Sequence, residues 1–161
     1  MVRSMLKGLL ACLVGAVPLL LATTARAQDL AAHCAAVGAD DRVAPIPVAL
    51  IPDARQFFGA TSSESDAEFV AHTVYRCMSG RIWLCNFGAN LTCAKGDVNR
   101  VSRGAMAYCK ENPGADIVPM AATGHATIHT WRCVGSEARI ERSEKLDPRG
   151  FIANQWAPLG K

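Results

Sequence analysis

V-Y-R-C-M-S-G-R-I-W-L-C-N-F-G-A-N-L-T-C, Val74 to Cys93, holds three of the seven cysteines and the clearest hairpin signal in the chain. Ser79-Gly80 is a turn pair between two runs rich in β-formers. A two-residue loop sets Met78 opposite Arg81, Cys77 opposite Ile82, Arg76 opposite Trp83, Tyr75 opposite Leu84 and Val74 opposite Cys85. Alternation then puts Tyr75, Cys77, Ile82 and Leu84 on one face, and Val74, Arg76, Trp83, Cys85 and Phe87 on the other. The first face reads as core. The second is apolar with Arg76 laid across Trp83. It is either a second core face, the favoured reading because large aromatics bury large areas, or a partner surface built on Arg76, Trp83 and Phe87, since arginine and tryptophan are enriched among interface hot spots. A slip of one residue would exchange the faces.

A second hairpin follows from Gly135-Ser136, which sets Cys133 opposite Ala138, Trp131 opposite Ile140 and Arg132 opposite Arg139. Its aromatic-Arg-Cys pattern repeats the first, 56 residues on. Two hairpins that each turn an aromatic and a cysteine inward account for the recurrence without a duplication.

The first 27 residues carry Arg3 and Lys7, an apolar run from Gly8 to Ala22, and Ala25-Arg26-Ala27. A basic start, an apolar stretch and an A-x-A site are the layout of an export signal, with cleavage expected between Ala27 and Gln28 and no stable membrane anchor afterwards. The signal takes three of the 17 Lys and Arg with it and none of the 14 Asp and Glu, so residues 28–161 are formally neutral. That balance argues against a nucleic-acid or anionic-membrane surface, which draws on a strong positive field. Six cysteines remain: Cys34, Cys77, Cys85, Cys93, Cys109 and Cys133. An even count on a small exported chain reads as three disulfides. No C-x-x-C or zinc-spaced cluster competes with that reading, and no cofactor motif is present. Cys77 and Cys85 point to opposite hairpin faces and should not pair. We expect Cys77–Cys133 and Cys93–Cys109, leaving Cys34–Cys85.

Helices are expected at Asp29–Val37, with Asp29 as its cap, and at Ser102–Asn112, where Met106 and Cys109 share a face. Val48–Ile51 reads as a short extended edge among three prolines, Asp53–Phe58 as a helical turn closed by Gly59, and Asp66–Ala71 as helix or strand. Asp116–Met120, His125–Val134 and Phe151–Trp156 read as extended, with a turn at Asp147–Gly150. Asn90-Leu91-Thr92 fits a glycosylation sequon, a short pattern that carries little weight. The fold class is therefore α+β: a single sheet-dominated, disulfide-stapled domain over 28–161, with two β-hairpins and two short helices.

Catalytic patterns are scarce. His125 and His129 would share a face on a helix, but their surroundings read as strand, where they stand about 13 Å apart, too far for one ion. His125 is expected as a buried turn residue, and His33 as an exposed neighbour of a bridged cysteine. No serine-nucleophile motif occurs in its context and no cysteine is spare.

Four strings carry a resemblance: Tyr75 to Lys95 (Y-R-C…G…C…G-A-N-L-x-C-x-K), Ala105 to Cys109 (A-M-x-Y-C), Thr123 to Cys133 (T-G-H-A-T-I-x-x-W-R-C) and Asp147 to Trp156 (D-x-R-G-F…W). Together they resemble a group of small exported bacterial proteins of unassigned function, which implies export and a disulfide framework and no particular activity. A shorter similarity, through Tyr75, Cys77 and Gly80, is to periplasmic lysozyme inhibitors, small β-barrels with an aromatic-x-C-x-x-G hairpin. The function expected is a binding or inhibitory module, periplasmic or secreted, for an envelope or extracellular protein. The alternative is a small exported hydrolase using His125 or His129 with a carboxylate.

Overall fold

The described residues contain two disulfide-stapled units, each a helix tied to a hairpin. The computed structural model describes residues 19–59, 64–88 and 92–160, with side chains from residue 27 onward. The expected export signal and the sequon fall largely outside those residues.

Helix α1 (Leu19–Val37) is rich in alanine and leucine and has no glycine or proline inside it. Asp29 therefore lies within a continuous helix and does not begin one, a correction to the expected cap. Gly38, at φ 70°, ends it. Strand β1 (Asp40–Pro45) follows and is the edge strand; the predicted edge at Val48–Ile51 is instead one 3-10 turn (Val48–Leu50) running into α2 (Ile51–Phe58). Pro52 is welcome in a first helical turn, where its missing N–H costs nothing, and Leu50, Ile51 and Ala54 are buried together. Helix α3 (Asp66–His72) resolves the helix-or-strand ambiguity through a capping box: Ser65 accepts from the Glu68 N–H while Glu68 accepts from the Ser65 N–H.

Strands β2 (Thr73–Met78) and β3 (Arg81–Asn86) pair in the register read from the turn, Arg76 opposite Trp83 and Cys77 opposite Ile82. Ser79 (φ 53°) and Gly80 (φ 71°) are both left-handed, as a tight two-residue hairpin requires. The sheet order is β1-β2-β3-β6, the last being Ala157–Pro158. Phe151–Trp156 is thus not the final strand; it bridges at Phe151 and Ile152 and turns through Ala153–Gln155.

Both hairpin faces are core. Cys77, Ile82 and Leu84 pack with Cys34, Ile46, Leu50, Ile51, Ala54 and Phe69. On the other side Cys85, Cys93, Phe151 and Trp156 form a second cluster with Val74, Trp83 and Phe87 against it.

The second unit has α4 (Arg103–Glu111), the one-turn α5 (Met120–Thr123), and the hairpin β4 (His129–Val134) with β5 (Glu137–Ser143). Ser102 caps α4 by accepting from the Ala105 N–H, as expected. Its buried face is Ala105 and Cys109, an i, i+4 pair, and Met106 points outward. The β4–β5 register matches the reading up to Trp131–Ile140, after which an extra residue on β5 sets Thr130 opposite Arg142.

The units correspond beyond the aromatic-Arg-Cys motif. Each has a helix whose cysteine bridges the first hairpin strand, Cys34–Cys77 and Cys109–Cys133. After each helix a glycine hydrogen-bonds to the glycine of the hairpin turn, Gly80 N–H to Gly38 and Gly114 N–H to Gly135. An extended segment then lies along the cysteine strand, with Asp40 beside Cys77 and the Cys133 N–H donating to Ala115. The third bridge, Cys85–Cys93, is local. Cys77–Cys85 is unpaired as expected, whereas Cys77–Cys133, Cys93–Cys109 and Cys34–Cys85 are all corrected. The expected Cys77–Cys133 bridge joined the apolar faces of the two hairpins, but each of those cysteines is taken by the helix of its own unit, Cys34 and Cys109, which rules out the other two expected pairings as well.

Helix is as abundant as strand, with five described α-helices where two were expected, so the fold is α+β without dominance of sheet. Neither sheet closes into a barrel. Three disulfides are the mark of a chain that folds in an oxidising compartment. Among the described residues no helix is long and apolar enough to cross a membrane.

One contact sets the second unit. A Cβ on Gly104 would stand 1.8 Å from the Ala122 carbonyl oxygen, so α4 and α5 meet backbone to backbone there. Gly104→Ala should cost about 1–3 kcal/mol by overpacking, read by urea unfolding of the oxidised protein; an unchanged midpoint would show that α5 can move aside freely.

Candidate functional site

Of the two readings of the face with Arg76, Trp83 and Phe87, the favoured one, core, is what Arg76 shows, and the partner surface built on it is corrected. Arg76 is completely buried. Its guanidinium pairs with Asp147, whose side chain is only 6% exposed, and stacks 4.0 Å from the Phe151 ring centre and 4.6 Å from that of Trp156. The cation lies across these rings, brought in by the C-terminal segment, in addition to standing opposite Trp83. Its Nε and Nη1 have no hydrogen-bond acceptor among the described residues, and the negative faces of the two rings take that place. Asp147 Oδ1 accepts from the Arg149 and Phe151 N–H groups, which makes the expected Asp147–Gly150 turn, while Oδ2 meets Arg76. Phe87 is half-buried, edge-on to His72. The face is core, and its arginine is a clamp.

Trp83 keeps part of its ring accessible. With Met78, Gly80 and Pro148 it lines an apolar cleft of about 640 Å³, rimmed by Arg149. Arg149 is engaged: its Nε donates to Asp41 at 2.7 Å, and Lys95 reaches the same carboxylate at 2.8 Å. The hydrogen bonds from Arg149 and then Lys95 hold the Asp41 carboxyl down at about 2, from an ordinary 3.8.

A second cleft, about 630 Å³, opens between α4 and the tip of the β4–β5 hairpin. Arg103, Met106, Ala107 and Lys110, with Glu111 at the end of the helix, form its helical wall. Spacings of three, four and seven residues put the first four on one face of α4. Met106 is 41% exposed there. Ala138 and Arg139 supply the facing wall, and Arg139 is paired with Glu137. Arg103 and Lys110 have no acidic partner among the described residues. Sequence reading passed over this cleft because its parts lie on separate elements; the signal available was the stripe of Arg103, Met106, Ala107 and Lys110 on a capped helix.

The histidines do not assemble. His125 is exposed in a turn, not buried as expected, and strand β4 begins only at His129. His129 is buried, its Nε2 facing the Val98 carbonyl at 3.3 Å and its Nδ1 the Ser143 hydroxyl at 2.7 Å. A carbonyl only accepts, so Nε2–H donates to Val98, and the Ser143 hydroxyl completes the ring's hydrogen bonding at Nδ1. His33 is exposed beside bridged Cys34, as expected. His72 Nδ1 lies 3.6 Å from Glu64 Oε1 on an open surface. None of the residues lining either cleft is a histidine.

Comparison with protein-family models, with curated proteins and with solved structures finds no match.

Proposed function

We propose that the protein is an exported binding or inhibitory module, periplasmic or secreted, that takes an envelope or extracellular protein in the cleft between α4 and β5. The observation that carries this is the pair of unpartnered cations, Arg103 and Lys110, flanking exposed Met106 and Ala107 on a wall held from behind by the Cys109–Cys133 bridge. The volume lies in the range of ligand sites, about 300–1,000 Å³, and a rigid wall lowers the ordering cost of binding. Export rests on the signal-like first 27 residues and on the three disulfides.

A photo-crosslinking residue at Ala107 tests it, in oxidised protein incubated with envelope extract and culture supernatant. One discrete adduct is expected from Ala107 and none from the same group at Asp53, on the far unit. Equal labelling from both positions overturns the reading. The hydrolase alternative has its geometric support in the His72–Glu64 pair; an ester or peptide hydrolysis activity abolished by His72→Ala would establish it instead.

A further inference from the structure

We infer that the occupant of the α4–β5 cleft is an extended acidic segment of a partner protein, which adds as a strand to the outer edge of β5. This rests on the binding-module reading and names the ligand for that site. Two independent observations point to it.

The first is charge. Arg103 and Lys110 stand about 10 Å apart on α4 at about 1.5 Å per residue, both exposed and both without an acidic partner among the described residues. The surrounding field has the same sign. Residues 95–145 carry eight Lys and Arg against six Asp and Glu, whereas residues 28–94 carry four against seven. Glu137 in the cleft is already matched by Arg139, which leaves Glu111 as the unmatched acid at the end of the helix. An acidic chain is drawn to this wall, and a basic one is turned away.

The second is the edge. β5 has β4 on one side and no strand on the other among the described residues. Its first residues, Glu137 to Arg139, line the cleft. A segment entering beside α4 therefore meets backbone groups along one side and the two cations along the other. Main-chain pairing supplies affinity and the alternating side chains supply selection. The extra residue near Glu141, together with Glu137, Arg139 and Arg142 along the strand, discourages indiscriminate edge-to-edge pairing. A partner has to match those charges, which favours a designated segment over any exposed strand.

The test is fluorescence anisotropy with the oxidised full-length mature protein and a short labelled peptide alternating glutamate with valine. The control is the same peptide with lysine for glutamate. The acidic peptide should bind at least about tenfold more tightly, the loss expected when one or two charge-assisted hydrogen bonds are removed, and the difference should shrink as salt rises. Arg103→Glu and Lys110→Glu should each weaken binding of the acidic peptide about tenfold while leaving the melting temperature unchanged, because both side chains are exposed. Lys145→Glu, exposed in the same stretch of chain but lining no part of the cleft, controls for overall charge and should change binding less than about twofold. Equal affinity for the two peptides, or equal losses from all three reversals, overturns the inference. A salt-sensitive dimer that the acidic peptide does not dissociate also overturns it, by seating the acidic half of a second copy in the cleft. If the Ala107 adduct forms and is indifferent to Arg103→Glu and Lys110→Glu, the module reading stands and the acidic strand falls.

Discussion

Asp147→Asn should lower the unfolding free energy by about 3–5 kcal/mol, because it leaves Arg76 charged, fully enclosed and without a counter-ion. Asparagine retains an oxygen for the Arg149 and Phe151 N–H groups, so the turn survives and the loss reports on the ion pair alone. Arg76→Met combined with Asp147→Asn should recover most of it, since an apolar side chain between Phe151 and Trp156 has no charge to strand. Urea unfolding of the oxidised proteins measures both, and a loss below about 1 kcal/mol would show that the pair is dispensable. The pH dependence follows from the same group. Burial works against ionisation of Asp147, but the Phe151 and Arg149 N–H groups and the Arg76 guanidinium outweigh it and hold the carboxyl below its ordinary 3.8. A depressed folded-state value means that its contribution is complete above the unfolded value and is lost as pH falls through the folded one. The melting temperature should therefore decline below about pH 4, in the direction that Asp41 also pushes, and Asp147→Asn should flatten that decline.

Replacing Cys34 and Cys77 together by alanine should cost about 4 kcal/mol. The bridge closes a loop with a sequence separation of 43, the longest of the three, and the entropy withheld from the unfolded chain rises with loop length. The same relation gives about 3.5 kcal/mol for Cys109–Cys133, at a separation of 24, and about 2.6 kcal/mol for Cys85–Cys93, at 8. Differential calorimetry of the three paired variants should show the largest fall in melting temperature for Cys34 with Cys77, a smaller one for Cys109 with Cys133, and the smallest for Cys85 with Cys93. The reverse order would mean that local packing around Cys85 and Cys93, next to Phe151 and Trp156, outweighs loop closure. Because Cys34 ties α1 to the hairpin, its loss should also expose Leu84 and Ile82, detectable as dye binding to the variant.

The parts of this fold legible in the sequence are the ones decided within a few residues. Ser79-Gly80 demands two left-handed residues, and the two-residue period then sets every partner from Met78–Arg81 to Val74–Cys85. Ser102 ahead of α4 and Gly59 behind α2 act within one turn, and both stand where the residue chemistry places them. The even cysteine count announced three bridges. Pairing, by contrast, depends on which helix covers which face. The same alternation that aligned the strands made Cys77 and Cys133 equally suited to any apolar partner, and the choice went to the helix in each unit. Arg76 shows the limit most clearly. Local reading saw a cation across Trp83, yet its counter-ion is 71 residues away and its ring partners arrive with the last segment of the chain. A charge that looked like a recognition group became an interior clamp because Asp147, Phe151 and Trp156 together offset the cost of burying it. The α4–β5 cleft has the same origin: Arg103 and Lys110 belong to one helix, but only packing of that helix on the second hairpin gives them a facing wall and an open strand edge.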